Sequence, residues 1–127
     1  MNVLMSIKPK YVEQILNENK KFEYRKSIFK RNIDKVYIYS TSPKQQIVGY
    51  FKYTGYLDGH PKEIWDITKE VAGIDEISYY EYFNNRECAY AIKIEKVHIF
   101  EVPIDPKNKI EKFNAPQSYM YLEGDIE

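Results

Sequence analysis

The chain has 127 residues, and its 19 Lys and Arg residues balance 19 Asp and Glu residues, so the formal net charge is zero. A chain of this length buries a hydrophobic core without disulfides or metals, and its balanced charge excludes a global attraction to nucleic acid or to anionic membranes. Because there is one cysteine and no apolar run approaches roughly 20 residues, we expect no intramolecular disulfide, no membrane span and a cytoplasmic location.

The first quarter of the chain predicts a strand, a helix and a second strand. The apolar run VLMSI favours a buried strand that stops before Pro9, and proline is common in the first turn of a helix. An apolar stripe at helical spacing then predicts a helix from Pro9 to about Asn19. Residues 20–26 alternate in the manner of a strand, with Phe22 and Tyr24 on a buried face and the charged residues on an ionic face.

The remaining elements predict an α+β fold. Strand-like patterns cover residues 34–42, 45–58 and 88–104, helical patterns cover residues 60–73 and 75–85, and a polar connector and tail follow Pro103. This order does not alternate regularly enough for a doubly wound parallel sheet. It favours a small, mostly antiparallel curved sheet or barrel with helices packed at its ends, in one domain over residues 1–127.

Basic residues are concentrated between residues 20 and 35. This segment contains seven basic and two acidic residues, a local balance of +5, whereas residues 57–81 contain seven acidic residues and two lysines. Clustered Lys and Arg residues with interleaved aromatic side chains are typical of a site that contacts phosphates and stacks on bases. A solvated, charged strand face explains the same pattern, so the residues alone leave both interpretations open.

Lys20, Lys21, Glu23 and Arg25 form the densest part of this cluster. A carboxylate beside several cations stays ionised, so it can accept hydrogen bonds from a base edge. With a lysine whose pKa is lowered by burial, it can also assist proton transfer. The two histidines are isolated, the lone cysteine has no partner at ligand spacing, and no phosphate-binding glycine loop is present, so we expect neither a metal nor a cofactor.

The stretch SIKPKYVEQILNENKKFEYRK resembles the start of an ASCH domain (activating signal cointegrator homology), a branch of the PUA-like superfamily. Members show a strand ending in S-I-x-P, a helix with a tyrosine and a late Ile-Leu, and then G-x-K-x-x-E-x-R. Lys20, Glu23 and Arg25 match the last motif, and Glu18 stands where the family usually has glycine. Further on, IVGYFKY, AYAIKI and APQSYMYL resemble later parts of the family.

The resemblance implies a small PUA-like β-barrel whose cleft, between the barrel and the first helix, binds RNA or a nucleotide. Lys20, Glu23 and Arg25 border this cleft, and Lys21 competes with Lys20 because it shares strand parity with Glu23. The other candidates are Ser6, Lys8, Gln117 and Ser118 at the rim, Tyr11 or Tyr39 for stacking, and Lys26, Lys30 and Arg31 for phosphate contacts.

Two alternatives remain open at this point. Some small ASCH proteins are amidohydrolases that act on acetylated cytidine, with a threonine at the position of Glu23, and this chain lacks that hydroxyl. Here the alternative is an amidohydrolase acting on a modified nucleoside such as N4-acetylcytidine, with Lys20 or Lys21 as base and Glu23 orienting water or substrate. The other alternative is a protein partner or self-association, in which the basic strand meets an acidic segment such as residues 57–81.

Overall fold

The computed structural model describes residues 1–127 and has an α+β fold, as predicted. Three α-helices and eight strands form it, and two short 3-10 helices follow the second helix and the seventh strand. The strands are β1 (Asn2–Ile7), β2 (Phe22–Arg25), β3 (Lys35–Ser40), β4 (Gln46–Lys52), β5 (Tyr56–Gly59), β6 (Ala89–Lys93), β7 (Val97–Ile104) and β8 (Tyr119–Leu122), and the helices are α1 (Pro9–Leu16), α2 (Pro61–Thr68) and α3 (Glu76–Tyr82). None of the helices has the length and apolar character needed to cross a membrane.

The strands form two sheets. One sheet has the order β7-β4-β3-β1-β8, and the other has the order β2-β6-β5. Only the β1–β3 pair is parallel, so the prediction of a mostly antiparallel sheet structure is confirmed. The two sheets are not closed into a barrel, so the barrel stays a prediction. The single domain over residues 1–127 also stays a prediction.

Two strands predicted as continuous are each divided between the two sheets. The segment 45–58 forms β4 and β5, with a break that contains Gly55 at a positive φ of 124°. The segment 88–104 forms β6 and β7, which are separated by residues 94–96. Periodicity does not report such a break, because both halves of each segment keep a strand-like pattern while their hydrogen bonds go to different sheets.

The tail contains a strand that the sequence interpretation did not predict. Residues 119–122 form β8, which pairs antiparallel with β1 from Asn2↔Leu122 to Met5↔Tyr119. With β3 on its other side, β1 becomes an interior strand and all six of its residues are buried. The end of β1 and the segment before β8 are thereby held side by side.

The core lies on both faces of β1 and around α3. On one face, Val3, Met5 and Ile7 pack with Val12 and Ile15 of α1. A second cluster joins the three-stranded sheet to α2 and α3, and a third covers the opposite face of β1. The second cluster contains Tyr24, Trp65, Tyr79 and Phe83, and the third contains Leu4, Tyr37, Tyr39 and Leu122.

The chain turns sharply between α1 and β2. The helix ends at Leu16, earlier than the predicted Asn19, and Glu18 adopts a left-handed conformation with φ of 63°. Residues with a Cβ adopt this conformation at a cost, and glycine does not. This turn gives a physical reason for the glycine that the ASCH family usually has at this position. In this chain, Glu18 makes the turn in place of glycine.

Candidate functional site

A cleft of about 840 Å³ opens where β1 ends. Its walls come from the end of β1, the start of α1, β2, the segment 74–82 with α3, and the tail before β8. Among the predicted ligand-binding residues, those that line it are Ser6, Lys8, Tyr11, Lys20, Glu23, Arg25, Gln117 and Ser118.

Arg25 connects β2 to the end of β1 and to the tail before β8, all of which line the cleft. Its Nε and Nη2 donate to Oε2 of Glu23, at 3.2 and 2.7 Å, and Nη2 also donates to the carbonyl of Ser6 at 2.9 Å. Its Nη1 donates to Oγ of Ser118 at 3.1 Å. Because four contacts to protein acceptors occupy the guanidinium, Arg25 holds Glu23 and the tail in place and has little donor capacity left for a ligand.

Lys20 lies just before β2, in an isolated bridge with Ala72, and its side chain is 3% exposed. Its Nζ donates to the Ala72 carbonyl at 2.8 Å and lies 4.7 Å from the centre of the Tyr24 ring. Burial lowers the pKa of Lys20, and the nearby Glu23 carboxylate opposes that shift. This is the direction expected for an ammonium removed from water.

Glu23 and Glu81 both line the cleft, and Glu81 is exposed. Glu23 is buried and forms the cleft floor with Lys20. Oε2 accepts from Arg25, whereas Oε1 lies 3.8 Å from Nζ of Lys20, which is too long for a hydrogen bond. Oε1 is paired with Lys20 but accepts no hydrogen bond within the protein. Because no buried side-chain oxygen lacks a hydrogen-bond partner, this atom is reached by solvent from the cleft. The floor therefore offers an open acceptor beside an ammonium.

Aromatic side chains surround this pair of charges. Tyr11, Tyr24 and Tyr82 all line the cleft. The hydroxyl of Thr68 donates to the Ile64 carbonyl, so Tyr24 donates its own hydroxyl proton to Oγ1 of Thr68 across 2.6 Å. Burial raises the pKa of Tyr24 to about 12, so this ring stays neutral and holds a fixed orientation.

Two predicted ligand-binding residues lie outside the cleft. Lys21 donates its backbone N–H to the Val71 carbonyl, and its side chain does not reach the cleft, so Lys20 is the lysine that faces Glu23. Tyr39 lies on the opposite face of the five-stranded sheet, where it packs against Phe113 with ring centres 5.5 Å apart. Strand parity is the reason, because Ile38 takes the face toward α1.

The predicted phosphate-contacting residues lie beside the cleft and not in it. Lys26, Lys30 and Arg31 are exposed and do not line its walls. Lys26 places its Nζ 4.6 Å from the centre of the Tyr82 ring, and Tyr82 does line the cleft. For these three residues, the interpretation as a solvated basic surface agrees with their exposure.

The interpretation as a solvated strand face, which the residues alone left open, does not hold for Lys20 and Glu23. Glu23 is 7% exposed and Lys20 is 3% exposed. Lys20 is covered by Ala72 and Gly73 of the segment before α3, which the sequence interpretation did not assign to the cleft. The tail was predicted at the rim through Gln117 and Ser118, and Ser118 accepts a hydrogen bond from Arg25 there. The sequence offered one signal of the contact at Lys20, the glycine at position 73. In the structure, Gly73 has φ of 63° and lies close to Lys20, at the point where the chain before α3 meets the cleft floor.

No group of three or more His, Cys, Asp and Glu side chains is arranged to hold a metal ion. The cleft offers cations, hydroxyls, the carboxylates of Glu23 and Glu81, and tyrosine rings.

The ASCH domain family model matches residues 5–98, which include the end of β1, all of α1 and β2, and most of the cleft. This chain belongs to the ASCH domain family. The match contains the Lys20, Glu23 and Arg25 positions on which the resemblance rested. It ends before the tail that supplies Gln117 and Ser118.

Crystal structures of an ASCH protein from Zymomonas mobilis have the same fold as this ASCH chain. The unmutated protein is 24% identical, with a TM-score of 0.87 over 96% of this chain and 87% of that chain. A point mutant of it is 23% identical, with the same TM-score over 96% of this chain and 88% of that chain. At this identity the likeness establishes the fold alone.

A sequence relative is the ATP synthase subunit alpha of Ureaplasma parvum serovar 3. It is 28% identical over 124 residues, which make up 94% of this ASCH chain and 15% of that protein. The chain thus spans a small part of the length of this relative.

Proposed function

We propose that this ASCH protein binds a nucleotide, free or as part of RNA, with the base in the cleft. The observation that carries the proposal is the open Oε1 of Glu23, 3.8 Å from the ammonium of Lys20. A nucleobase edge presents N–H donors next to carbonyl or ring-nitrogen acceptors. Glu23 can accept from such a donor while Lys20 donates to the neighbouring acceptor.

The size and lining of the cleft support a ligand of this kind. Its volume of about 840 Å³ lies within the range of roughly 300 to 1,000 Å³ that is usual for small-molecule sites. Tyr11 and Tyr82 supply ring surfaces on which a base can stack, whereas Tyr24 is buried beneath Lys20. A ligand with a flat face and a polar edge fits both features.

The charges around the cleft favour a phosphate at its mouth and not on its floor. The open carboxylate oxygen of Glu23 would repel a phosphate placed beside it. At the rim, Lys8 and Lys10 are exposed and neither takes part in an ion pair. We therefore orient the nucleotide with its base inward and its phosphate toward these two lysines.

Binding of random-sequence RNA dinucleotides, followed by fluorescence anisotropy at two salt concentrations, tests the proposal. Tyr82→Ala is the diagnostic variant, and Tyr56→Ala is its control, since the two tyrosines are 37% and 40% exposed and only Tyr82 lines the cleft. Loss of one stacking ring is worth about 1 to 3 kcal/mol, so Tyr82→Ala weakens binding roughly 5- to 150-fold. Tyr56→Ala leaves it unchanged.

Two results would contradict the proposal. One is the absence of measurable binding at low salt, where phosphate contacts are strongest. The other is equal weakening by both tyrosine variants, which would place the ligand outside the cleft. A ratio of absorbance at 260 and 280 nm above that of the pure protein would give independent support through copurified nucleotide.

A second candidate function is hydrolysis of a modified nucleoside such as N4-acetylcytidine to cytidine and acetate. The observation that favours it is the buried Lys20, whose lowered pKa increases the neutral fraction able to accept a proton from water near Glu23. Incubation with N4-acetylcytidine and chromatography of the products tests it. The rate should increase with pH as Lys20 loses its proton, and product no higher than with the Lys20→Ala, Glu23→Ala double variant would exclude this substrate.

A further inference from the structure

A basic and aromatic surface continues from the cleft along the edge strand β8. We define the β8 track as Lys26, Lys30, Arg31, Tyr119 and Tyr121. Two of these residues directly follow residues that line the cleft, because Lys26 follows Arg25 and Tyr119 follows Ser118. The track therefore begins at the rim of the cleft.

The cations of the β8 track are not neutralised by the protein. Lys26, Lys30 and Arg31 are exposed, and none of them takes part in an ion pair. By contrast, Lys35 pairs with Asp125 at 3.2 Å and with Glu127 at 2.8 Å. In a chain with no net charge, this uncompensated group is a local site for a polyanion.

Arg31 and Tyr121 form a cation–π pair in this track. The Arg31 guanidinium lies 4.8 Å from the centre of the Tyr121 ring, and the Tyr121 hydroxyl accepts the Lys30 backbone N–H at 3.0 Å. Tyr119 packs edge-on against Tyr121, with ring centres 5.5 Å apart. Because Arg31 is exposed, its plane is available to stack on an unpaired base while its charge faces a phosphate.

The spacing connects the pair to the cleft. Ser118 lines the cleft and Tyr121 lies three residues further, a distance of about 10 Å along an extended strand. A nucleic acid strand that leaves the cleft reaches this pair within a few nucleotides. An exposed guanidinium held over a tyrosine ring, near further free cations, suits such a strand better than it suits an acidic peptide, which has no bases to stack.

We propose that the β8 track binds the nucleotides that flank the one in the cleft, so that the ligand is a single-stranded RNA of several nucleotides. This inference rests on the proposed function and adds its partner class. Affinity should then increase with strand length, through Arg31 stacking and phosphate contacts from Lys26 and Lys30. Substitution of Arg31 should not change the affinity of the cleft for a dinucleotide.

Anisotropy competition with random-sequence RNA dinucleotides and pentanucleotides separates the two surfaces. Arg31→Ala should weaken pentanucleotide binding roughly 5- to 150-fold and leave dinucleotide binding unchanged. Arg31→Lys keeps the charge without the planar group, so it should retain the salt dependence and lose most of the length-dependent gain. Lys109→Ala is the charge-matched control, since Lys109 is exposed and adjoins Ile110, which packs on the opposite face of the five-stranded sheet.

The outcomes distinguish this inference from the proposed function. Equal affinity of the unmutated protein for the two RNA lengths would contradict binding by the β8 track and leave the cleft proposal intact. The same conclusion would follow if the Arg31→Ala variant kept the gain in affinity with RNA length. Competition by polyglutamate as strong as that by the pentanucleotide also overturns binding of RNA by the track, in favour of an acidic protein partner. If neither RNA binds the unmutated protein, both proposals fail. Circular dichroism spectra and melting temperatures of the variants should match those of the unmutated protein, because Arg31 is exposed.

Discussion

Gly73 controls the position of Lys20 on the cleft floor, and substituting it should affect both stability and binding. Its φ is 63°, and a Cβ added there would overlap the Cβ of Lys20 and lie 2.8 Å from its Cγ. The Lys20 Cα would lie 3.0 Å from the new atom, so a rotation of the lysine side chain does not relieve the clash. Gly73→Ala must therefore move the backbone at the Lys20–Ala72 bridge.

The magnitude follows from two terms. A residue with a Cβ in the left-handed conformation costs about 1 to 2 kcal/mol. Overpacking of a tight interior contact adds about 1 to 3 kcal/mol. Gly73→Ala should therefore lower the free energy of unfolding by roughly 2 to 5 kcal/mol. The matched control is Gly124→Ala, because Gly124 has φ of 93° and no atom lies within 4 Å of its added Cβ.

Urea unfolding followed by circular dichroism measures both variants. The Gly124→Ala control should lose only the stability that corresponds to a Cβ in the left-handed conformation. Gly73→Ala should therefore be the less stable of the two variants. It should also bind RNA dinucleotides more weakly than the control, since Lys20 is displaced from Glu23. If the two variants lose the same stability and keep the same affinity, the close approach of Gly73 to Lys20 does not position the floor.

Three further predictions concern single positions. Glu18→Gly should stabilise the protein by about 1 kcal/mol, because glycine adopts the φ of 63° without strain. Glu23→Gln should destabilise it by about 3 to 5 kcal/mol, since the buried Lys20 and the partly buried Arg25 then lack their counter-charge. Lys35 lowers the pKa of Asp125, so the stability from this pair is present above the ordinary pKa of 3.8 and is lost as the pH falls below it. Lys35→Met should reduce that acid-dependent loss.

Urea midpoints test all three. Glu13→Gly is the control for Glu18→Gly, because Glu13 is an exposed residue within α1 where glycine is destabilising. A destabilised Glu18→Gly variant would refute the strain argument. For Glu23→Gln, a loss below about 1 kcal/mol would show that the charges are not buried together. An unchanged difference between the midpoints at pH 5 and pH 3 in Lys35→Met would contradict the third prediction.

The sequence interpretation was accurate where local pattern decides the structure. β1, α1 and the two later helices were predicted because their apolar residues repeat at the period of one element. It joined β4 to β5 and β6 to β7, since a strand that changes sheets keeps its alternation. It did not detect β8, whose residues pair with β1 from the other end of the chain.

In the candidate site, too, local features could be predicted from the sequence and long-range features could not. The spacing of Lys20, Glu23 and Arg25 is a local property, and the family match depends on the segment that contains it. The choice of Lys20 over Lys21 was left open, because strand parity favours Lys21 and the chain is not yet a regular strand at residue 20. Tyr39 was selected for its ring, and only its sheet face excluded it from the cleft.

By itself, the sequence determined the α+β class, the ASCH relationship and the charged trio before and within β2, because these depend on periodicity and on short spacings. Only the tertiary structure decided that Lys20 and Glu23 are buried, that Arg25 is partly buried, and that one oxygen of Glu23 accepts no hydrogen bond. The partners that bury these residues are distant in the chain, since Lys20 binds the Ala72 carbonyl 52 residues away and Arg25 binds Ser118 93 residues away. A charged strand face looks the same in sequence whether water or such partners cover it.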